Sequence, residues 1–197
     1  MLIGLDLDEV LAALMPQLIE YHNYLYKTSY VFDDFKSFYL WKTWGGTRKE
    51  TDKKIWNFYD SELFDDTLPI EGAREGIEVL AKRHKLAIIT SRPQEIKGKT
   101  QKWLRKYFPD KFSAVHFAYN FSHGKGKSKK KLAICKDLGV EVLIEDCLEN
   151  VMDIENVSSK TKVILLDRPW NRSRLPENVV RVYSWKELVD KINLLDK

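Results

Sequence analysis

Asp6 and Asp8 close an apolar run that begins at Met1, Leu2 and Ile3, and two carboxylates in that position can do nucleophilic, acid–base or metal chemistry. Leu2, Ile3, Leu5 and Leu7 read as a strand covered on both faces, the pattern of a parallel sheet. With a period of two, Asp6 and Asp8 fall on one side and Leu7 points away into the apolar layers. Adjacent carboxylates repel each other and lose hydration, so a hard divalent cation between them is the simplest remedy. The plainer alternative is a strand end with two solvated acids. Two further strand ends carry similar groups, Thr90-Ser91 and Glu145-Asp146. Strands of a parallel sheet point the same way, so all three ends converge on one edge, where open α/β sheets bind ligands. Carboxylates for a cation, hydroxyls for phosphoryl oxygens and a lysine cluster from Lys125 to Lys131 make a phosphate-transfer inventory.

The elements that must hold these groups alternate. After the first strand, Pro16, Leu18, Tyr21, His22 and Leu25 follow helical spacing. Between Tyr21 and Phe64 lie 14 of the chain's 24 aromatic residues, including Trp41, Trp44 and Trp56, which marks a separate small core. Gly45-Gly46-Thr47 breaks this stretch, and a helix resumes over 49–59. The expected division is an α/β core from 1–14 and 70–197, with a helical insertion at 15–69. Further strands are expected at 86–89, 114–117, 140–144 and 163–166, with helices around 77–84, 95–107, 129–138 and 148–154. Ser128 is placed to cap the 129–138 helix, and Ser184 with Glu187 forms a capping box for a final helix. This alternation predicts right-handed crossovers and a doubly wound parallel sheet.

The 197 residues suffice for one α/β domain with an appendage, and the net charge of +4 is a mild bias that suits an anionic small substrate better than a dedicated nucleic-acid binder. Cys135 and Cys147 sit at no metal-site or disulfide spacing and read as reduced core thiols. The start of the chain lacks a basic leader segment, and no apolar stretch is long enough to span a bilayer, so a cytoplasmic protein without a membrane partner is expected.

In this order and spacing, Asp6, Asp8, Thr90, a lysine before the fourth strand and Asp146 resemble the haloacid dehalogenase superfamily of phosphatases. The resemblance covers nearly the whole chain. It implies Asp6 as nucleophile, Asp8 as acid/base, Thr90 with Ser91 on the phosphate, and Mg2+ held by Asp6, the Asp8 carbonyl and Asp146, with Glu145 beside them. Lys131 fits the family lysine best, with Lys127, Lys129 and Lys130 competing. Many members carry Gly after the second Asp where this chain has Glu9, and an Asp-Asp pair where it has Glu145-Asp146. Within the superfamily, Phe64 to Ala73, Thr90-Ser91-Arg92-Pro93 and Asp167-Arg168-Pro169-Trp170-Asn171 resemble the deoxyribonucleotidase branch, in which aromatic residues of the insertion stack on the nucleobase.

That resemblance implies a phosphomonoesterase acting on a nucleotide, with Trp41, Trp44 and Trp56 as stacking candidates. Tryptophan in a small helical unit is more often core than ligand contact. Arg168 and Arg172 read as tethers of the last loop more than as phosphate contacts. The rival substrates are another small phosphoester or a nucleic-acid 3′-phosphate end, which the lysine cluster would suit. A rival of another class is a binding module with a vestigial site.

Overall fold

Ile3 and Leu5 are completely buried, and so are Ile88, Leu143, Ile144 and Leu165. Such strands exist only where helices cover both faces of a sheet. In the computed structural model, which describes residues 1–118, 131–151 and 161–196, six parallel strands fulfil this condition. They are β1 (Leu2–Leu5), β2 (Lys85–Thr90), β3 (Ala114–Phe117), β4 (Val142–Glu145), β5 (Lys162–Leu166) and β6 (Val179–Val182). Their order across the sheet is β3-β2-β1-β4-β5-β6, every neighbouring pair parallel.

The period of two sorts the strand side chains onto two faces. Val142 and Ile144 join Ile3, Leu5, Ile88, Ile164 and Trp185 in one apolar cluster, while Leu143 joins Ile89, Val163, Leu165, Leu132 and Cys135 in the other. The first cluster is closed by α5 (Ala73–Leu80) and α8 (Trp185–Leu195), the second by α7 (Lys131–Leu138). Ser184 caps α8 by accepting from the Glu187 N–H, while the Glu187 side chain accepts from Tyr183 N–H at 2.8 Å. Both cysteines are free and buried. Among the described residues, no helix is long and apolar enough to cross a membrane.

Between β1 and β2 the chain forms α1 (Leu14–Tyr26), α2 (Trp41–Trp44), α3 (Arg48–Tyr59) and α4 (Glu62–Asp65). These helices share a third apolar cluster around Leu18, Ile19, Phe35, Phe58 and Phe64. The chain leaves and returns side by side. Ala13 N–H donates to Leu68 O at 2.9 Å, and Ile70 N–H to Leu11 O at 2.8 Å, so a two-stranded neck joins these helices to the sheet. The capping box of Thr47 and Glu50 restarts the helix after Gly46.

Several elements differ from the sequence reading. β1 stops at Leu5, because Leu7 N–H turns to Asp6 Oδ1 at 2.7 Å and Leu7 O begins a turn by accepting from Leu11 and Ala12. β6 is an additional edge strand, too short and too interrupted by Arg181 for hydrophobic periodicity to mark it. The helix expected over 95–107 opens with a 3-10 turn, Gln94–Ile96, before α6 (Lys97–Tyr107). Only a 3-10 turn, Leu148–Asn150, is described where a helix over 148–154 is expected, and the rest of that span lies outside the described residues. Ser128, Lys125, Lys127, Lys129 and Lys130 lie outside them too.

Trp185 connects this packing to the site, since its Nε1–H donates to Val10 O at 2.9 Å in the turn that follows Asp8. A side chain at Gly76 would drive into that indole, a Cβ there meeting Trp185 Cε3 at 2.3 Å. The Gly76→Val variant should therefore lose stability toward the upper end of the roughly 1–3 kcal/mol typical of overpacking, although leaving glycine favours the helix. Differential scanning calorimetry should show Tm falling by about 4–10 °C. An unchanged Tm would mean that the indole can move aside at no cost.

Candidate active site

The strand order reverses direction between β1 and β4, and the carboxyl ends flanking such a reversal are where doubly wound sheets place their ligands. Leu5 pairs with Ile144, so Asp6 and Glu145 are the next residues along adjoining strands, and Asp6 N–H extends the ladder to Ile144 O at 2.9 Å. Asp6, Glu145 and Asp146 thus meet, each offering an oxygen within 4.8 Å of the others, all three nearly removed from solvent.

Lys131, at the start of α7, reaches into this cluster. Its Nζ lies 2.6 Å from Asp6 Oδ2 and 2.6 Å from Glu145 Oε1, and it is 2 % exposed. Glu145 is held further by Asn150 Nδ2 at 2.9 Å and by the N–H groups of Asp146 and Cys147 at 2.8 and 3.0 Å. Asp146 accepts from Trp170 Nε1 at 3.0 Å, and its carbonyl accepts from Asn171 Nδ2 at 2.7 Å. The loop that carries Trp170 and Asn171 is tied down by arginines: Arg168 Nη2–H donates to Glu9 O at 2.6 Å, and Arg172 pairs with Asp167 at 3.0 Å.

Three carboxylates against one ammonium leave a formal charge of −2 in a buried site. The oxygen-only donor set and this deficit are consistent with a hard divalent cation. The protonation pattern without one points the same way. Burial pushes Asp6 up to about 7, with Lys131 opposing and Glu145 adding to the shift. Burial, then the charges of Glu145 and Asp6, raises Asp146 well above the carboxylate range. Burial also disfavours the charged forms of Glu145 and Lys131, but the charges and hydrogen bonds of Asp6 and Glu145 hold Lys131 high, and those of Lys131 with the main-chain N–H groups of Asp146 and Cys147 hold Glu145 low. The site thus favours an ionised Lys131 and Glu145 and favours the protonated forms of Asp6 and Asp146.

Asp8 faces different company. Arg92 Nη2–H donates to its Oδ1 at 2.6 Å, and Nε–H is shared between Oδ1 and Oδ2 at 3.1 and 3.0 Å. Thr90 is completely buried and its Oγ1 accepts from Arg92 N–H at 3.1 Å, whereas Ser91 lines the cavity above the carboxylates. That cavity holds about 1000 Å³ of space with its open mouth included. Its floor is Asp6, Asp8 and Asp146, and its wall from the inserted helices includes Phe38, Tyr39, Trp41 and Tyr59. Of the three tryptophans singled out from sequence, Trp41 lines this cavity. Trp44 instead stacks on His22 at 4.4 Å inside the inserted helices, and Trp56 lines a smaller neighbouring pocket with Pro93.

Known proteins place the chain in a family and show its fold. All 197 residues match the family described as 5′ nucleotidase, deoxy (Pyrimidine), cytosolic type C protein. The chain belongs to that family. It is 24 % identical over 196 residues to the 5′(3′)-deoxyribonucleotidase of Bacillus subtilis, covering 96 % of this chain and 97 % of that one. A haloacid dehalogenase-like protein of Agrobacterium tumefaciens superposes with a TM-score of 0.69 at 16 % identity, over 100 % and 99 % of the two chains. A hydrolase of the same superfamily from Bacillus subtilis, solved with magnesium, gives 0.63 at 13 % identity over 98 % of each chain. These two structures show the fold, and the family match makes the chain a phosphatase of the nucleotidase family.

Residues not singled out from sequence also shape the site. Arg92 was visible as the residue after the hydroxyl pair, but nothing in its spacing shows that it grasps Asp8. Glu9 has a left-handed backbone, φ 57°, where many superfamily members have glycine. Its Oε1 accepts from Met15 N–H at 2.6 Å, supplying the cap that Ala13 cannot give α1, while Arg168 holds the other oxygen at 3.5 Å. Burial raises its carboxyl to about 7, with Arg168 and the Met15 N–H opposing.

A divalent cation entering the cluster must displace the proton that Asp6 retains up to about pH 7. Below that pH the proton competes and affinity falls; above it the carboxylate is free. Titration calorimetry with Mg2+ should therefore show Kd rising up to tenfold per pH unit below about 7. Proton release, read from buffers of different ionisation enthalpy, should be greater at pH 6 than at pH 8.5. A Kd that does not change across this range would show that no carboxyl of the cluster is protonated before the metal arrives.

Proposed function

We propose that this phosphatase is magnesium-dependent, works through a phosphorylated Asp6, and releases phosphate from nucleoside and deoxynucleoside monophosphates. The observation that carries the reading is the difference between two carboxylates on one cavity floor. Asp6 shares its surroundings with Asp146, Glu145 and Lys131, while Asp8, two residues on, is oriented by a separate cation. Unequal environments are how one site runs nucleophilic and acid–base steps with two carboxyl groups.

Asp6 attacks phosphorus while the bond to the nucleoside oxygen breaks, and Asp8 gives that oxygen its proton. Water then attacks the aspartyl-phosphate. Asp8 takes the water's proton, the Asp6–phosphorus bond breaks, and the Asp6 carboxylate and inorganic phosphate are released. Lys131 balances the charge next to Asp6 throughout, with Glu145 fixing the lysine from behind. Ser91, on the cavity wall, faces the phosphoryl group, and Thr90 is buried behind it with its hydroxyl holding the Arg92 main-chain N–H. Magnesium, held by Asp6, Asp146 and the main-chain carbonyl of Asp8, would neutralise phosphoryl charge.

The helices of 15–69 act as a cap whose aromatic wall meets the leaving nucleoside, with Trp41 as the stacking residue. Support comes from Trp41 lining the cavity, and from the Bacillus relative that is named a 5′(3′)-deoxyribonucleotidase. Phosphate release should be compared across deoxynucleoside monophosphates, ribonucleoside monophosphates, sugar phosphates and 3′-phosphorylated oligonucleotides. Nucleoside monophosphates should give the highest kcat/KM, and Asp6→Asn should abolish turnover of all. Base stacking is worth about 1–3 kcal/mol, so Trp41→Leu should cost about 5–150-fold in kcat/KM on nucleotides while sparing a small phosphoester. Equal losses on both would remove Trp41 as a base contact, and preference for a sugar phosphate would overturn the nucleotide assignment.

A further inference from the structure

Arg92 is a buried arginine at the end of β2, and nearly everything around it is spoken for. Its guanidinium grips Asp8 through Nη2 at 2.6 Å and Nε at 3.0 and 3.1 Å, and its Nη1–H donates to Thr100 Oγ1 at 3.3 Å in α6. Its main-chain N–H is fixed on Thr90 Oγ1, and Phe64 of α4 covers the guanidinium with its ring centroid 5.0 Å away. A side chain held by the sheet, by α6 and by a helix of the insertion is in place before any substrate arrives. At 2 % exposure it has little freedom to travel.

The hydrogen bonds to Asp8 are unequal. Oδ1 receives the short Nη2 bond and the longer leg of the Nε bond, whereas Oδ2 receives Nε alone, at 3.0 Å. Oδ2 therefore keeps the lone-pair capacity to carry a proton. The Asp8 side chain is 24 % exposed and lines the cavity, so it is held doubly at Oδ1 and singly at Oδ2 and is accessible from the substrate side.

We propose that Arg92 is the positioning residue for Asp8: by anchoring Oδ1 it aims Oδ2 at the leaving oxygen and then at the attacking water. The proposal rests on the reading of Asp8 as acid/base. Its consequence is selective. An alkoxide leaves a nucleotide only with a proton, so formation of the aspartyl-phosphate needs an aimed Asp8. A nitrophenolate leaves unprotonated, so with p-nitrophenyl phosphate only the second step, in which Asp8 takes a proton from water, needs it.

The test is quench-flow on wild type, Arg92→Gln and Asp8→Asn, using a deoxynucleoside 5′-monophosphate and p-nitrophenyl phosphate, with magnesium at saturation. Arg92→Gln should lower nucleotide kcat by about 10²-fold or more, within the usual worth of general acid–base catalysis, with a much smaller change in KM. On p-nitrophenyl phosphate the same variant should release one equivalent of nitrophenolate in a burst near the wild-type rate, followed by slow turnover as phospho-Asp6 accumulates. Adding Arg92→Gln to Asp8→Asn should cause little further loss, because both act through one proton transfer. A merely structural arginine would instead slow burst and turnover together, and would add its full loss to that of Asp8→Asn; either result overturns the proposal. If melting shows Arg92→Gln unfolded, Arg92→Lys, which keeps the cation but not the fork, should show the burst in weaker form, and its absence would also overturn it. A wild type without activity on either substrate would overturn the proposed function itself, whereas an active wild type with evenly slowed variants overturns only the role of Arg92.

Discussion

The Lys131 ammonium, buried between Asp6 and Glu145, is the interaction on which the rest of the site depends. Taking ions out of water costs several kcal/mol each, and the loss is recovered only where geometry and further hydrogen bonds are good. Here Glu145 receives two main-chain N–H groups and an asparagine, so its charge is fully engaged. That engagement turns Lys131 into a fixed positive wall for Asp6. The strand order supplies the meeting place, since the reversal between β1 and β4 sets the ends of these sequence-distant strands side by side. Lys131 completes the triangle from the first turn of α7, the helix that leads into β4.

Asp8 depends on a second, separate set of supports. The chain turns sharply after it, and Glu9 adopts a left-handed backbone that costs a residue with a side chain roughly 1–2 kcal/mol. Glycine would avoid that cost. Glu9 offsets it with a carboxylate that caps α1 and pairs with Arg168, and its N–H donates to Ala12 O at 2.8 Å. The residue after Asp8 thus ties the start of the inserted helices to the loop that carries Trp170, whose indole holds Asp146. Cavity floor and inserted helices are connected through a glutamate where many members of the superfamily it resembles carry glycine.

The sheet and its site edge were legible because their signals are local. Buried strands announce themselves as apolar runs, and Asp6, Thr90 and Asp146 each follow such a run directly. Lys131 was legible through the helix it begins, although Lys127, Lys129 and Lys130 compete on sequence. β6 was not, because a four-residue edge strand containing Arg181 has too few apolar positions to show a period. Nor were the partnerships of side chains distant in sequence: Arg92 with Asp8, Trp170 with Asp146, Glu9 with Arg168. Sequence spacing places a residue on an element, but which acid an arginine meets is decided by the crossing of elements some 80 to 160 residues apart.

The aromatic insertion shows the same boundary from another side. Fourteen aromatics in one stretch establish that it forms a core of its own, yet the same ring can fill a core or wall a cavity, and hydrophobicity does not separate the two. In the folded chain they divide. Trp44 stacks on His22, which Lys54 approaches at 3.1 Å, and burial followed by the Lys54 charge lowers that imidazole to about 4, so it stays neutral within the stack. Trp41 sits at the turn of α2, packed beside Tyr39 at 4.7 Å with the cavity in front of it. Three residues separate the two tryptophans, about one helical turn, which would ordinarily put them on one face. But α2 is only four residues long and ends at Gly45 with a positive φ, so no helical face is sustained and the two rings are free to face different neighbours.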